Sequence, residues 1–251
     1  MPPADSPFKE TDPTMRGSWL FVHVPKCGGT SVLQAIRETH PEPLGLELNG
    51  DQYVDKRTIL ERVADRLPVA RVVFGHRVFA GLARSMPQPA RMVTVLRDPV
   101  DRAISHYNYI LTRPPDRQLA HGALTPSNLR VPFKAWLEEF PPARNHLVWM
   151  LFHVLGDSAR VFDFSLRVSA IEHRVVSARL HEFADLHFTE KGGVDAAIRQ
   201  ITGRAPRVEN ANDRHAVDPS DPDARAAAAA ACPLDIAIYE QAARTFIARH
   251  S

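Results

Sequence analysis

The stretch FVHVPKCGGTSVL, Phe21 to Leu33, constrains the fold more tightly than any other part of the chain. An apolar run stops at Pro25, a Lys-Cys pair leads into two glycines, and a helical pattern opens on Thr30 and Ser31. A strand that passes through a glycine turn straight into a helix is a βα unit, and repeated βα units build a parallel sheet with helical crossovers. SWLFVHV, residues 18–24, is almost continuously apolar, as suits a strand covered on both faces.

The pattern repeats. TSVLQAIRETH (30–40) reads as a helix, and DKRTILERVADRL (55–67) carries Ile59, Leu60, Val63 and Leu67 at helical spacing. ARVVFGH (70–76) is a second strand ending in Gly-His. ARMVTVLRDP (90–99) is a third, stopped by Pro99, and VDRAISHYNYIL (100–111) is the helix that follows. Ligands of parallel sheets bind beyond the carboxyl ends of the strands. Three polar ends therefore converge: Pro25–Ser31, Gly75–His76 and Arg97–Asp98.

The remainder reads as mostly helical. RPPDRQLAHGALTPSN (113–128) is a polar loop that could act as a lid. ADLHF (184–188) is a further strand, TEKGGV turns into another helix, and the alanine-rich C-terminal helix breaks before Pro233. Residues 1–17 are polar and proline-rich with no apolar leader segment, so they read as a disordered lead-in to a single domain over 18–251. No apolar run reaches the roughly 20 residues of a membrane span. Two isolated cysteines, Cys27 and Cys232, argue against a disulfide framework and for a reducing compartment, so a cytoplasmic location is expected. A net charge of +2 does not call for a nucleic-acid partner.

The glycine turn has the parts of an anion cradle. A helix N-terminus offers unpaired N–H groups and a positive dipole end. Gly28 and Gly29 allow close backbone approach, Thr30 and Ser31 add hydroxyls, and Lys26 adds a charge. The order differs from the nucleotide-triphosphatase loop G-x-x-x-x-G-K-[ST], in which lysine follows the glycines. A purely structural turn is the competing account. In VTVLRDPVDRAISHYNY, Arg97 leaves a strand end and Ser105 lies eight residues on, so both could reach one phosphate. The same stretch also resembles the apolar strand plus aspartate that holds magnesium in nucleotide-triphosphatases. Asp98 and Arg102 could equally be surface or salt-bridging residues.

HVPKCGGTS followed about 70 residues later by VLRDPVDRAISHY resembles the two donor-binding motifs of sulfotransferases. The pattern is most similar to the carbohydrate group that includes heparan sulfate 2-O-sulfotransferase-like and related bacterial enzymes, and it covers about residues 18–112. Cys27 stands where that family often has threonine. The resemblance implies a P-loop-NTPase-like α/β fold, a parallel sheet flanked by helices with further helices in the C-terminal half. It also implies the donor 3′-phosphoadenosine 5′-phosphosulfate (PAPS) and the product adenosine 3′,5′-bisphosphate (PAP). Lys26, Cys27, Gly28, Gly29, Thr30 and Ser31 would hold the 5′-phosphosulfate, and Arg97 and Ser105 the 3′-phosphate.

The family resemblance extends to the Gly75-His76 pair, which by analogy makes His76 the general base, with Lys26 as the second catalytic group. The acceptor implied is a sugar hydroxyl; a tyrosine or a small natural product is the alternative, and an ATP-dependent small-molecule kinase is the rival enzyme class. His146 and His153 lie seven residues apart among apolar residues and read as packing, and His106 is the reserve candidate for the base. HEFAD lacks the second histidine of a zincin motif and DPSDPD lacks the glycine of a calcium loop, so no metal site is expected. Lys191, Asn212 and Arg214 lie in later polar segments that could complete the donor pocket or be solvated loop.

Overall fold

The computed structural model describes residues 17–49, 55–87, 90–159, 166–206 and 216–247. Apart from Gly17, the lead-in lies outside these residues, as do Asn212 and Arg214. The fold is α/β. Five parallel strands, β1 (Ser18–Val22), β2 (Gly45–Glu47), β3 (Val72–Gly75), β4 (Ala90–Leu96) and β5 (Phe183–Phe188), stand in the order β2-β3-β1-β4-β5.

Each central strand is apolar throughout because helices cover both faces. Trp19 and Phe21 of β1 pack with Val32, Leu33 and Ile36 of α1 (Gly29–Thr39) and with Ala197, Ile198 and Ile201 of a helix over Gly193–Thr202 that follows β5. Leu20 and Val22 face the other way, onto Ile59 and Val63 of α2 (Lys56–Val63) and Leu147, Val148 and Leu151 of a helix over His146–Leu155. α2 ends at Val63, earlier than its apolar pattern suggests, and the chain continues in turns, with the Arg66 and Leu67 N–H groups on the Val63 carbonyl.

α3 (Pro99–Ile110) leaves β4 and, with α5 (Phe133–Glu139) and α9 (Pro222–Ala231), forms a second apolar cluster around Tyr107 and Trp136. Between α3 and α5, the segment expected as an open loop contains α4 (Pro115–Ala120) and is tied down beyond it. The Trp136 indole N–H donates to the His121 carbonyl at 2.8 Å, and Leu124 bridges to Arg130. The remaining helices are α6 (His146–Leu155), α7 (Ala170–Arg179), α8 (Gly193–Thr202) and α10 (Pro233–Ile247). α9 and α10 are separated at Cys232, as Pro233 requires. Among the described residues no helix is long and apolar enough to cross a membrane.

The topology selects one place for a ligand. After β1 the chain runs to β2 and β3 on one side, and after β4 it runs to β5 on the other. Neighbouring strands whose connections diverge leave a crevice at their carboxyl ends, here between β1 and β4. The Thr94 hydroxyl donates to the Val22 carbonyl at 2.7 Å and fastens the two strands at that end.

Candidate active site

The loop out of β1 is shaped by its residues. Lys26 has φ +67° and Gly28 φ +74°, so the backbone reverses tightly before α1 begins. A side chain at Gly28 would collide with Val194, and one at Gly29 would overlap the His23 ring. α2, α3, α7 and α9 each receive a side-chain cap, from Asp55, Asp98, Ser169 and Asp221. α1 starts on Gly28 with no side-chain cap and no acidic residue in its first turn. α4, α5 and α8 likewise start without a side-chain cap; what sets α1 apart is its place directly after the central strand β1, at the carboxyl end of the sheet. Thr30 is exposed and Ser31 half-buried at this end.

The Cys27 side chain packs into the apolar core. It is buried, its sulfur sits 3.7 Å from the Pro25 carbonyl oxygen, and burial pushes its thiol up to about 12. It therefore stays protonated and serves the loop through its backbone.

Lys26 and Arg97 supply positive charge. The Lys26 ammonium lies 4.4 Å from the centroid of the Tyr109 ring on α3, and burial, with Arg97 nearby, lowers its pKa from the ordinary lysine value. Neither cation forms an ion pair with a carboxylate among the described residues. Ser105 lies one helical turn before Tyr109, on the same side of α3, and is half-buried. The structure thus brings Lys26, Ser105 and the start of α1 toward one crevice, with Arg97 at its β4 edge.

Asp98 caps α3, accepting N–H bonds from Val100 at 2.9 Å and Asp101 at 3.1 Å. Its own N–H donates at 2.9 Å to Glu190, whose other carboxylate oxygen accepts from the Tyr239 hydroxyl at 3.0 Å. Glu190, rather than the exposed Lys191 beside it, anchors the turn that carries Arg97.

His76 follows β3 and is held on three sides. Its backbone N–H donates to Asn49 Oδ1 at 2.7 Å. Its Nδ1 lies 2.7 Å from the His23 carbonyl oxygen, so Nδ1 carries the proton and Nε2 keeps the lone pair. Its ring stacks on His23 with centroids 4.1 Å apart. Burial holds the imidazole below the ordinary histidine value, so it is neutral near pH 7 and its Nε2 can accept a proton.

Of the two ordinary roles open to it in the sequence, Arg102 takes neither: it is not at the surface, and among the described residues it forms no ion pair. It is 1% exposed, its Nε and Nη2 have no hydrogen-bond partner, and its Nη1 lies 3.4 Å from His106 Nδ1. His106 is itself buried between Trp136 and His146, and burial drives its pKa well below the ordinary value. His146 and His153 are buried too, each with Nδ1 against the carbonyl four residues before it. Asp235, fully buried, accepts the Leu147 and Val148 N–H groups at 2.9 and 2.8 Å, and burial raises it to about 6.

Sequence reasoning missed Asn49, Glu190 and the stacking of His23. Asn49 precedes a glycine and reads only as a turn; Glu190 and His23 carry no signal beyond their neighbours. Compared with known proteins, the chain matches no family model, and no curated protein matches it significantly.

Proposed function

We propose that the chain is a sulfotransferase that moves a sulfuryl group from PAPS to a hydroxyl of a carbohydrate or glycoconjugate. The main support is the state of His76: Nδ1 is committed to the His23 carbonyl, which leaves Nε2 as a base at the sheet edge that carries the uncapped start of α1. The central position of β1 between β3 and β4 supports reading the fold as P-loop-NTPase-like.

The residues fit a donor with two separate anionic groups. The uncapped N–H groups of α1 and Lys26 suit its 5′-phosphosulfate. Arg97 and Ser105, on the other wall of the crevice, suit its 3′-phosphate. When bound, the donor supplies the sulfuryl group and departs as PAP. His76 Nε2 takes the acceptor hydroxyl proton as the oxygen attacks. Lys26 and the N–H groups stabilise negative charge that develops on the departing side, and being fixed beforehand they need little reorganisation. Asp98 Oδ1 caps α3, so the kinase reading would have to rest on Oδ2 alone.

The test is transfer of labelled sulfate from PAPS to a panel of polysaccharides, glycosides, a tyrosine peptide and small phenols, beside an ATP-magnesium control. Labelled sugar is the expected product. Label on the tyrosine peptide or a phenol alone would move the acceptor class, and phosphate transfer from ATP would replace the reading with a kinase.

A further inference from the structure

We propose that Asn49 is a positioning residue for the His76 imidazole, itself held by Glu47 and Arg37, so that the helix that opens at the anion cradle also braces the base. This rests on the reading of His76 as general base.

The Asn49 amide has one orientation that satisfies its neighbours. The His76 N–H can only donate, and it meets Oδ1 at 2.7 Å; the Glu47 carboxylate can only accept, and Nδ2 donates to its Oε1 at 2.7 Å. Glu47 ends β2 and is gripped by Arg37, whose Nε and Nη2 donate to its two oxygens at 2.8 and 2.7 Å. Arg37 lies in the last turn of α1.

Gly75 completes the fit. It has φ +129°, and a side chain there would come within 2.6 Å of Asn49 Oδ1 and 2.7 Å of the Leu48 carbonyl oxygen. Its lack of a side chain lets the Asn49 amide approach the chain just before His76. Arg77 N–H then donates to the Leu48 carbonyl at 2.9 Å, and His23 N–H to the Gly75 carbonyl at 3.0 Å. The base is thus fixed through its backbone by the Asn49 segment and through its ring by His23, and no described residue bonds Nε2.

The charged arrangement matters as well. Glu47 favours the protonated form of His76, while the Arg77 guanidinium and burial oppose it; His23 and His146 are the neighbouring titratable rings. Arg37 neutralises Glu47, so the brace orients the base without a bare carboxylate beside it. Misplacing a reacting group by about 1 Å can cost ~100-fold in rate.

The experiment combines histidine ¹⁵N NMR of the full chain with turnover. His76 is assigned by the signal that His76→Ala removes. Wild type is expected to show protonated Nδ1 and bare Nε2. Asn49→Ala is expected to mix the tautomers and lower kcat ~10–100-fold at unchanged donor KM. In a His76→Ala background it should add less than about twofold, because the two act as a unit. An unchanged His76 signature in Asn49→Ala, or an equal loss in both backgrounds, overturns the proposal. Arg37→Ala changes an exposed side chain and guards against a misfolded Asn49→Ala; it should move the His76 titration to higher pH, and no movement overturns the brace. If wild type transfers no sulfate to any acceptor, the enzymatic reading fails while the NMR comparison still decides the positioning role.

Discussion

The Lys26 ammonium rests 4.4 Å from the centroid of the Tyr109 ring. A cation over an aromatic face is held by the ring quadrupole, so Lys26 is turned toward α3 and the Ser105 side of the crevice. In the proposed reaction this ammonium meets the charge that develops on the departing group. Lys26→Ala should lower turnover roughly 10²–10³-fold, the scale for losing one preorganised transition-state contact. Steady-state kinetics with saturating donor checks this; a loss below about threefold contradicts it.

Cys27 offers the contrasting case. Its thiol is buried and protonated, beside the Pro25 carbonyl. Cys27→Thr should leave turnover near the wild-type rate, since a hydroxyl can donate to the same carbonyl. A severe loss in folded Cys27→Thr would assign the thiol a task that its surroundings do not support.

Arg97 and Ser105 are assigned to the 3′-phosphate. PAP should therefore raise the melting temperature much more than ADP. At 100 times its Kd a ligand adds about 2.7 kcal/mol to stability. Arg97→Ala should abolish the preference while the protein stays folded. Equal, magnesium-dependent stabilisation by ADP and ATP would contradict the assignment.

The strands and their following helices were legible because their signals are local. β1 and β4 are mostly apolar runs, and Asp98-Pro99 marks the start of α3 with a cap and a fixed φ. β2 was not legible: three residues at a sheet edge leave no periodicity, and with it went Asn49. The burial of Arg102 is not legible, because arginine is rarely fully buried. Its burial follows from the packing of α3 against α9 and α10, which no window of sequence contains. The segment over 113–128 looked open because its polar residues hide a short helix, tied to α5 through Trp136.

Asp235 should be a stability hot spot. It caps α6 through two N–H groups, and it is the carboxylate whose field reaches buried Arg102. Asp235→Ala leaves those two buried N–H groups without an acceptor and should cost about 1–3 kcal/mol for each unsatisfied donor. Urea denaturation measures it; a cost under 1 kcal/mol contradicts the account.

Acid should weaken the fold through the buried histidines. His23, His106 and His146 all have folded pKa values well below 6.5, with burial as the largest cause. Unfolded chains take up these protons first, so the stabilisation is complete above pH 6.5 and declines as pH falls below it. Each group contributes at most about 1.4 kcal/mol per pH unit. Asp235 acts in the opposite sense only below about 6. Melting temperature should thus fall between pH 7 and 6, and His106→Gln should flatten that fall. A flat or rising profile in wild type contradicts it.

The central claim is that His76 removes the acceptor proton. The most direct measurement sets sulfate transfer by wild type against that by His76→Ala, with PAP affinity measured on both. Turnover in His76→Ala should fall about 10²–10⁴-fold, while PAP affinity stays unchanged, because the base faces the acceptor. The wild-type rate should decline on acidification with a midpoint below 6.5, since burial lowers the His76 pKa and only the neutral ring accepts a proton. A folded His76→Ala protein that transfers sulfate at the wild-type rate would contradict the account.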